Sequence, residues 1–550
     1  MSISTRIERT AEPGVAADLI LYDGDILTLA ETTHLQALAI RDGRIIRLGT
    51  TRDVLRLCGS ETRCVDLAGR TALPGFIETH NHPMHYGYAV KIAVDASTPP
   101  NETIDDILQR IEQRVRATPK RAWIRAERYD DTLLREKRHP TRADLDRVTP
   151  DHPVYMTHVT GHFSVANSAA LKIAGITAQT PDPPGGIIYR DESGNPNGVL
   201  AESAAQMLVS QHLPAFGEDE MLASLQAASD EYVKAGVTTA HDLGIGLHGG
   251  AQAIAAYHRA KERGLFRPRV YGFLAEQILP ELAEGTLGPM ARAVAGIGDD
   301  QFRLAGVKMW SDGSIQGITG ALSEPYYCQP ATRGLPIYSE EQLTVRIRAL
   351  RDAGWHVAVH ANGDAAIGAV VAAYEQTPGG QRYRIEHCQT GRDDQLDRIA
   401  RHDIHVSFFI KHVYYWGDRH RDIFLGPERA QRISPLASAR KRGIRYALHS
   451  DCPVTPVMPL EGIWAAVNRI TSGGARLGPE QRIDVETALR AYTSSAAHLS
   501  FEENQKGTLE TGKLGDVVVL DRDPTASEPE QLNRLQVDMT IIGGQVVFER

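Results

Sequence analysis

Short apolar runs separated by glycine-containing turns occupy both ends of the sequence. The runs ADLILYDGDILTL, QALAIRDGRIIRLG and TRCVDLAGR lie near the N-terminus, and GKLGDVVVLDRDP and MTIIGGQVVFER lie near the C-terminus. Their DG, AG and GG pairs are typical of tight turns between antiparallel strands. Neither end has enough strands for a stable core of its own. We therefore predict one small β-sandwich domain that combines residues 1–72 and 505–550.

The middle of the chain, residues 73–504, has a different pattern. Apolar, β-branched runs alternate with helical segments such as EEQLTVRIRALRDAG. This alternation indicates an α/β fold, and eight such runs favour a closed (β/α)8 TIM-like barrel over an open sheet. The predicted barrel strands are ALPGFIETHNH, VTTAHDLG, PRVYGFL, RLAGVKMWSDG, HVAVHANGD, YRIEHCQ, HVSFFIKH and RYALHSDCP.

The first and second predicted barrel strands are separated by far more residues than one helix requires. We predict an inserted subdomain at about 95–205, beside the barrel mouth. The insertion contains PDPPGGIIYRDESGNPNG, whose proline, glycine, aspartate and asparagine residues indicate turns.

Composition and charge limit the possible binding partners of the protein and its expected location in the cell. The net charge is −9 and the sequence has no long basic block, which argues against nucleic acid and against an anionic membrane surface. No run of 18 apolar residues offers a membrane span, and the N-terminus has no apolar leader segment. The five cysteines lack metal-finger spacing and are expected to be reduced thiols. We therefore expect a cytoplasmic protein that acts on a small-molecule substrate.

A pair of histidines, His80 and His82, lies at the C-terminal end of the first predicted barrel strand. Residues i and i+2 of an extended strand point to the same face, so the two imidazoles could converge on one metal ion. Imidazole suits zinc, iron, nickel and related metals. Exposed or capping histidines are a common alternative for such a pair.

Four further candidate ligands follow other predicted strands, and active sites of β/α barrels gather at the carboxyl ends of the strands. A structural histidine could occupy any one of these positions, but polar groups at five of eight strand ends favour a shared metal centre. The proposed set is His80, His82, Lys308, His360, His387 and Asp451.

These segments resemble the amidohydrolase superfamily, and within it the amidohydrolase family 3 branch that includes N-substituted formamide deformylases. The resemblance runs through DLAGRTALPGFIETHNHP, TGHFSVANSAALKIAGI, GGIIYRDESGNPNGVLAE, VKMWSDGS, HANGDAAI, RIEHCQ and SDCPVTPVMPL. It covers nearly the whole chain. The family varies widely in substrate.

The resemblance implies that the six residues bind one or two divalent metal ions, with zinc expected. In many relatives the lysine is carboxylated and bridges two metals, which implies a carbamate on Lys308. A single-metal site with an unmodified lysine remains open, as does a buried ion pair between Lys308 and Asp312. Three departures from the family pattern bear on the substrate pocket: Glu78-Thr79 before the histidine pair, Asn362 after the fifth strand, and His449 before Asp451.

The implied reaction is attack of metal-bound hydroxide on an amide-type C–N bond of an N-substituted amide, formamide or carbamate. Asp451 would act as general base and then as general acid. His162, in TGHFSVANS, could donate a hydrogen bond to the substrate carbonyl, although a structural role is equally open. His241, Asp312, His412 and Trp416 are candidate pocket residues, for which packing is the alternative.

Two other functions remain open. A mononuclear deaminase of an aminated heterocycle would generally lack the strand-four lysine and have a glutamate after strand five, whereas Lys308 is present here and Ala361-Asn362-Gly363-Asp364 follows His360. A non-catalytic assembly protein would typically have lost metal ligands, and this chain retains all six. Dimers are common in the family, and the sequence does not decide between a monomer and a homodimer.

Overall fold

The computed structural model describes residues 11, 15–31, 34–379 and 382–550. Strands and helices are numbered here in chain order. Two sheets form the β-sandwich, with strand orders β5-β4-β1-β6 and β24-β23-β22-β7-β2-β3. The strands are β1 (Leu19–Tyr22), β2 (Asp25–Leu27), β3 (His34–Leu35), β4 (Ala37–Arg41), β5 (Arg44–Gly49), β6 (Arg63–Asp66), β7 (Thr71–Pro74), β22 (Val517–Leu520), β23 (Val537–Ile542) and β24 (Gln545–Glu549), and α1 (Thr51–Leu55) lies between β5 and β6.

Strands from both ends of the sequence share the six-stranded sheet. Thr71–Pro74 of β7 pairs with Val517–Leu520 of β22 in antiparallel register. Apolar side chains of both sheets, among them Leu38 and Val519, form one buried cluster. The domain limits at 1–72 and 505–550 stay predictions.

The eight predicted barrel strands are confirmed as one sheet of eight parallel strands. Around the barrel they run β8 (Phe76–Asn81), β15 (Val237–Ile245), β16 (Arg269–Ala275), β17 (Phe302–Trp310), β18 (His356–Ala361), β19 (Arg384–His387), β20 (His405–Phe408) and β21 (Tyr446–Leu448). The first and last strands meet beyond β21, where Asp451 N donates to His80 O at 3.0 Å and His82 N donates to Cys452 O at 2.8 Å.

The helices of the barrel domain follow its strands, and their buried faces have helical spacing. In α10, for example, a capping box of Ser339 and Gln342 begins the helix, and Leu343, Ile347 and Leu350 are buried at i, i+4 and i+7. The barrel-domain helices are α2 (Pro83–Lys91), α7 (Glu218–Lys234), α8 (Gln252–Glu262), α9 (Pro289–Ala293), α10 (Glu340–Asp352), α11 (Asp364–Glu375), α12 (Asp393–Arg401), α13 (His412–Arg419), α14 (Leu436–Lys441), α15 (Pro459–Asn468), α16 (Val485–Ala491) and α17 (Ser494–Leu499).

One predicted strand is wrong in its extent. The run ALPGFIETHNH is divided at Gly75 into β7, which belongs to the sandwich, and β8, which belongs to the barrel. A side chain at Gly75 would lie 2.2 Å from the Thr238 side chain, so only glycine allows this close approach between the two units.

The segment between β8 and β15 contains a six-stranded sheet of order β13-β14-β12-β11-β10-β9. Its elements are β9 (Val94–Asp95), α3 (Ile104–Ala117), β10 (Ile124–Tyr129), α4 (Arg142–Asp146), β11 (Val154–His158), β12 (Phe163–Ala166), α5 (Ser168–Ile173), β13 (Ile187–Arg190), β14 (Pro196–Ala201) and α6 (Glu202–Ser210). This insertion has its own apolar core. Arg419, at the end of α13, forms an ion pair of 3.0 Å with Asp130 of the insertion.

No helix in the described part of the chain combines the length and the apolar character that a bilayer crossing requires.

Candidate metal centre at the barrel rim

The two histidines at the end of the first barrel strand converge on Asp451, which follows the eighth. His80 is the last residue but one of β8, and His82 is the N-cap of α2. Nε2 of His80 lies 3.5 Å from Oδ1 of Asp451, and Nε2 of His82 lies 3.4 Å from the same oxygen. The spacing of two residues and the closure of the barrel therefore bring three candidate ligands together.

His387, at the end of β19, joins this group. Its ring centroid lies 4.7 Å from that of His80 and 4.5 Å from that of His360, the last residue but one of β18. The backbone at His387 and Asp451 has φ of +70° and +52°. These are left-handed conformations that non-glycine residues seldom adopt, and such residues cluster at functional sites.

The donor set fits a divalent metal ion. Ligand atoms of His80, His82 and Asp451 all lie within 4.8 Å of one another, and so do those of His80, His387 and His449. Burial is the main cause that lowers the pKa of His80, His387 and His449 well below the ordinary range of an imidazole. Neutral imidazoles have the free lone pair that a metal needs, and imidazole with carboxylate is a typical zinc environment.

Lys308 is buried near the centre but does not contact it. Its Nζ lies 4.4 Å from the centroid of the Trp310 ring, and within the described residues no ion pair or hydrogen bond joins it to the histidines or to Asp451. Burial lowers the pKa of Lys308 to about 8, although the carboxylates of Glu386 and Asp451 oppose the shift.

The alternative ion pair between Lys308 and Asp312 is not formed. The Asp312 carboxylate instead accepts the backbone N–H groups of Ala321, Asn362 and Gly363, at 2.8 to 3.0 Å. Oδ1 of Asp312 also lies 3.5 Å from Nε2 of His360. Asp312 is completely buried and connects the loops around His360, and its place in the pocket stays a prediction.

His162 is brought from the insertion to the rim of the barrel. Its ring centroid lies 5.8 Å from that of His360, and its Nδ1 lies 3.0 Å from Oε2 of Glu202. Burial disfavours the imidazolium of His162, but the Glu202 carboxylate outweighs burial and raises the pKa. Glu202 itself has a left-handed backbone, with φ of +63°, and its N–H donates to His162 O at 2.8 Å.

Two of the candidate pocket residues lie together in α13. The rings of His412 and Trp416 are 5.8 Å apart, and both pack on Phe409, whose ring is 6.1 Å from that of His387. Nδ1 of His412 is buried without a hydrogen-bond partner in the described part of the chain. Phe409, which follows the seventh barrel strand, therefore lies between this pair and the candidate ligand His387.

His241 is not at the rim. Strand β15 continues four residues past it to Ile245, so His241 lies in the middle of the strand rather than at its end. Its Nδ1 lies 3.2 Å from Nη1 of Arg384, its ring packs on Tyr271, and it is completely buried. These contacts are those of a side chain inside the barrel, and the assignment of His241 to the pocket stays a prediction.

The structure adds His449 and Glu386 to the centre. Nε2 of His449 lies 3.2 Å from Nδ1 of His387, and its ring stacks on His80 at 4.7 Å. Glu386 Oε2 lies 2.7 Å from Nδ1 of His80. The sequence singled out His449 only as a departure from the family pattern, and no sequence signal separates Glu386 from an ordinary strand residue.

The chain is similar to known proteins over nearly its whole length. A model of the amidohydrolase family matches residues 63–548. YtcJ of Bacillus subtilis (strain 168), assigned by name to the amidohydrolases, is 32% identical over 545 residues, which cover 96% of this chain and 99% of YtcJ. The N-substituted formamide deformylase of Arthrobacter pascens is 31% identical over 553 residues, which cover 97% and 98%. The crystal structure of an uncharacterized metal-dependent hydrolase from Pyrococcus horikoshii OT3 is similar with a TM-score of 0.74 and 25% identity, and covers 93% of this chain and 99% of that one.

Proposed function

The chain belongs to the amidohydrolase family, and from this premise we propose that it hydrolyses an amide-type C–N bond in an N-substituted amide, formamide or carbamate. The observation that carries the proposal is the convergence of imidazoles from two strands on the carboxylate of Asp451, with the imidazole of His360 from a third strand against that of His387. The deformylase relative, 31% identical along nearly its whole length, supports this type of bond.

We propose His80, His82, His360, His387 and Asp451 as the residues that hold a divalent metal, with zinc as the ion that best matches these ligands. When bound, the ion would polarise the substrate carbonyl and lower the pKa of water. Lys308 is the residue for a carbamate. Burial brings its pKa to about 8, so a larger fraction of the amine is uncharged near neutral pH, and the uncharged amine is the form that reacts with carbon dioxide.

Asp451 is proposed to move the proton. Burial favours its neutral form, but the hydrogen bond and the charge of His82 outweigh burial and lower the pKa of Asp451 to about 2. The carboxylate is thus ionised at neutral pH, ready to accept a proton and to pass it to the leaving nitrogen, which needs protonation before it departs.

His162 is proposed to bind the substrate carbonyl. Glu202 holds Nδ1, and no described residue is bonded to Nε2, which leaves that atom for the substrate oxygen. Donors aimed at an oxygen that gains negative charge lower the barrier of acyl transfer.

The proposal can be tested by assaying the purified protein for amine release from a panel of N-substituted formamides, acetamides and carbamates. We expect turnover of one substrate class, complete loss after chelation, and recovery when Zn²⁺ is added back. Ammonia release from an aminated heterocycle instead would favour the deaminase alternative. Full turnover by protein shown to be free of metal would contradict the proposed metal centre.

A second prediction concerns the insertion. Glu202→Gln should lower kcat by about 10- to 100-fold with little change in KM, because a hydrogen bond to a charged group contributes about 1.5–3 kcal/mol. Asp131→Asn is the matched control, since Asp131 faces His158 at 3.1 Å within the same insertion but touches no candidate ligand. Equal kinetics for both variants and the wild type would remove His162 from the proposed mechanism.

A further inference from the structure

Glu386 is a carboxylate enclosed in the barrel interior directly beneath the candidate ligands. It is completely buried between two partners. Oε2 lies 2.7 Å from Nδ1 of His80, and Oε1 lies 2.9 Å from Nη2 of Arg384. Arg384 is equally buried and also donates to Thr79 O at 2.9 Å. A buried charge needs such compensation, and here the guanidinium supplies it.

The backbone explains why two neighbouring residues serve the same centre. Glu386 and His387 are adjacent in β19, and adjacent strand residues ordinarily point to opposite faces. The strand ends at His387, where φ is +70°, and φ is +47° at Cys388. Cys388 N then donates to Glu386 O at 3.0 Å. This left-handed turn allows the side chain of His387 to lie beside the ring of His80, which Glu386 contacts from inside the barrel.

The contact defines which nitrogen of His80 is available. With Nδ1 directed to the carboxylate, the proton stays on Nδ1, and the lone pair of Nε2 faces Asp451 Oδ1 at 3.5 Å. A carboxylate in this position fixes the tautomer and the orientation of a ligating histidine and makes it a better electron donor. We propose that Glu386 is a positioning residue that sets the metal affinity of the centre through His80. This inference rests on the metal centre proposed above.

The second histidine of the pair provides an internal comparison. Nδ1 of His82 lies 3.8 Å from Oδ1 of Asp242, beyond hydrogen-bond distance, and neither atom has a hydrogen-bond partner among the described residues. The other oxygen of Asp242 accepts from Tyr257 at 2.6 Å. The two imidazoles are therefore supported unequally, and Glu386 should matter more than Asp242.

The test measures Zn²⁺ affinity by competition with a chromophoric chelator, so it needs no substrate. Glu386→Gln should weaken Zn²⁺ binding by about 10- to 100-fold, the range typical of carboxylates that support ligating histidines. Asp242→Asn should weaken it less. Glu386→Gln should also shift the visible absorption bands of the Co²⁺-loaded protein, because the donor strength of one imidazole changes.

The double variant Arg384→Gln/Glu386→Gln separates positioning from charge balance. It leaves no uncompensated guanidinium in the barrel, so a merely structural role of Glu386 predicts recovery of Zn²⁺ affinity, whereas positioning predicts continued weak binding. Recovery of Zn²⁺ affinity in the double variant, or wild-type affinity in Glu386→Gln, would overturn this inference but leave the proposed metal centre intact. If the wild-type protein bound no Zn²⁺, as is expected of the His80→Ala variant, both the proposed metal centre and this inference would be overturned.

Discussion

Asp451→Asn should lower kcat by about 10²- to 10⁴-fold, the usual contribution of a positioned general acid–base group. The amide keeps the shape of the side chain but cannot take up the proton at neutral pH. Asp451 lies within 3.5 Å of Nε2 of both His80 and His82. The measurement is kcat on the substrate found in the panel, divided by the metal content of each preparation.

The metal content decides between the two roles given to Asp451. A fall in kcat that only follows metal loss would leave Asp451 as a ligand and contradict its role in proton transfer. Asp418→Asn is the control, because Asp418 lies in α13 at the same rim and its carboxylate contacts Thr471, Gly473 and Arg421 rather than a proposed ligand. Its kcat should equal that of the wild type.

Asp516→Ala should lower the free energy of unfolding by about 3–5 kcal/mol, the usual cost of removing one partner of a buried ion pair. Arg269, which begins β16 of the barrel, donates to Asp516 with Nε at 2.7 Å and Nη2 at 3.1 Å. Gly543 N also donates to Asp516, at 2.8 Å. Both charged side chains are buried, so the variant would leave the guanidinium with only the half-exposed Asp300. Urea unfolding measures the difference.

The control for this stability prediction is Glu549→Gln. Glu549 forms an ion pair of 2.8 Å with Arg63, and more than half of each side chain is exposed. An exposed pair contributes about 0–1 kcal/mol. Equal losses for both variants would contradict the importance of burial at the junction between the barrel and the sandwich.

The sequence was sufficient for the barrel because its strands are apolar, β-branched and separated by helical segments. It was insufficient at Gly75, where β7 and β8 form one continuous apolar run and only a packing contact with Thr238 divides them. Likewise, the run VTTAHDLG did not show that His241 would contact Arg384 and Tyr271 inside the barrel.

For the candidate site, the sequence identified residues that follow strands but not the contacts between them. His80, His82, His387 and Asp451 were predicted from their positions after apolar runs. Glu386 could not be predicted, because its role depends on the left-handed backbone at His387 and on Arg384, two residues earlier in the same strand. The approach of His162 to His360 likewise depends on how the insertion folds onto the barrel.

The pairing of β7 with β22 has a consequence for biosynthesis. Thr71–Pro74 is made before the barrel strands, and its partner Val517–Leu520 is made after them. Until then the nascent chain presents an unpaired strand edge, a surface prone to aggregation. Closure of this sheet therefore has to wait until the whole barrel segment has been synthesised.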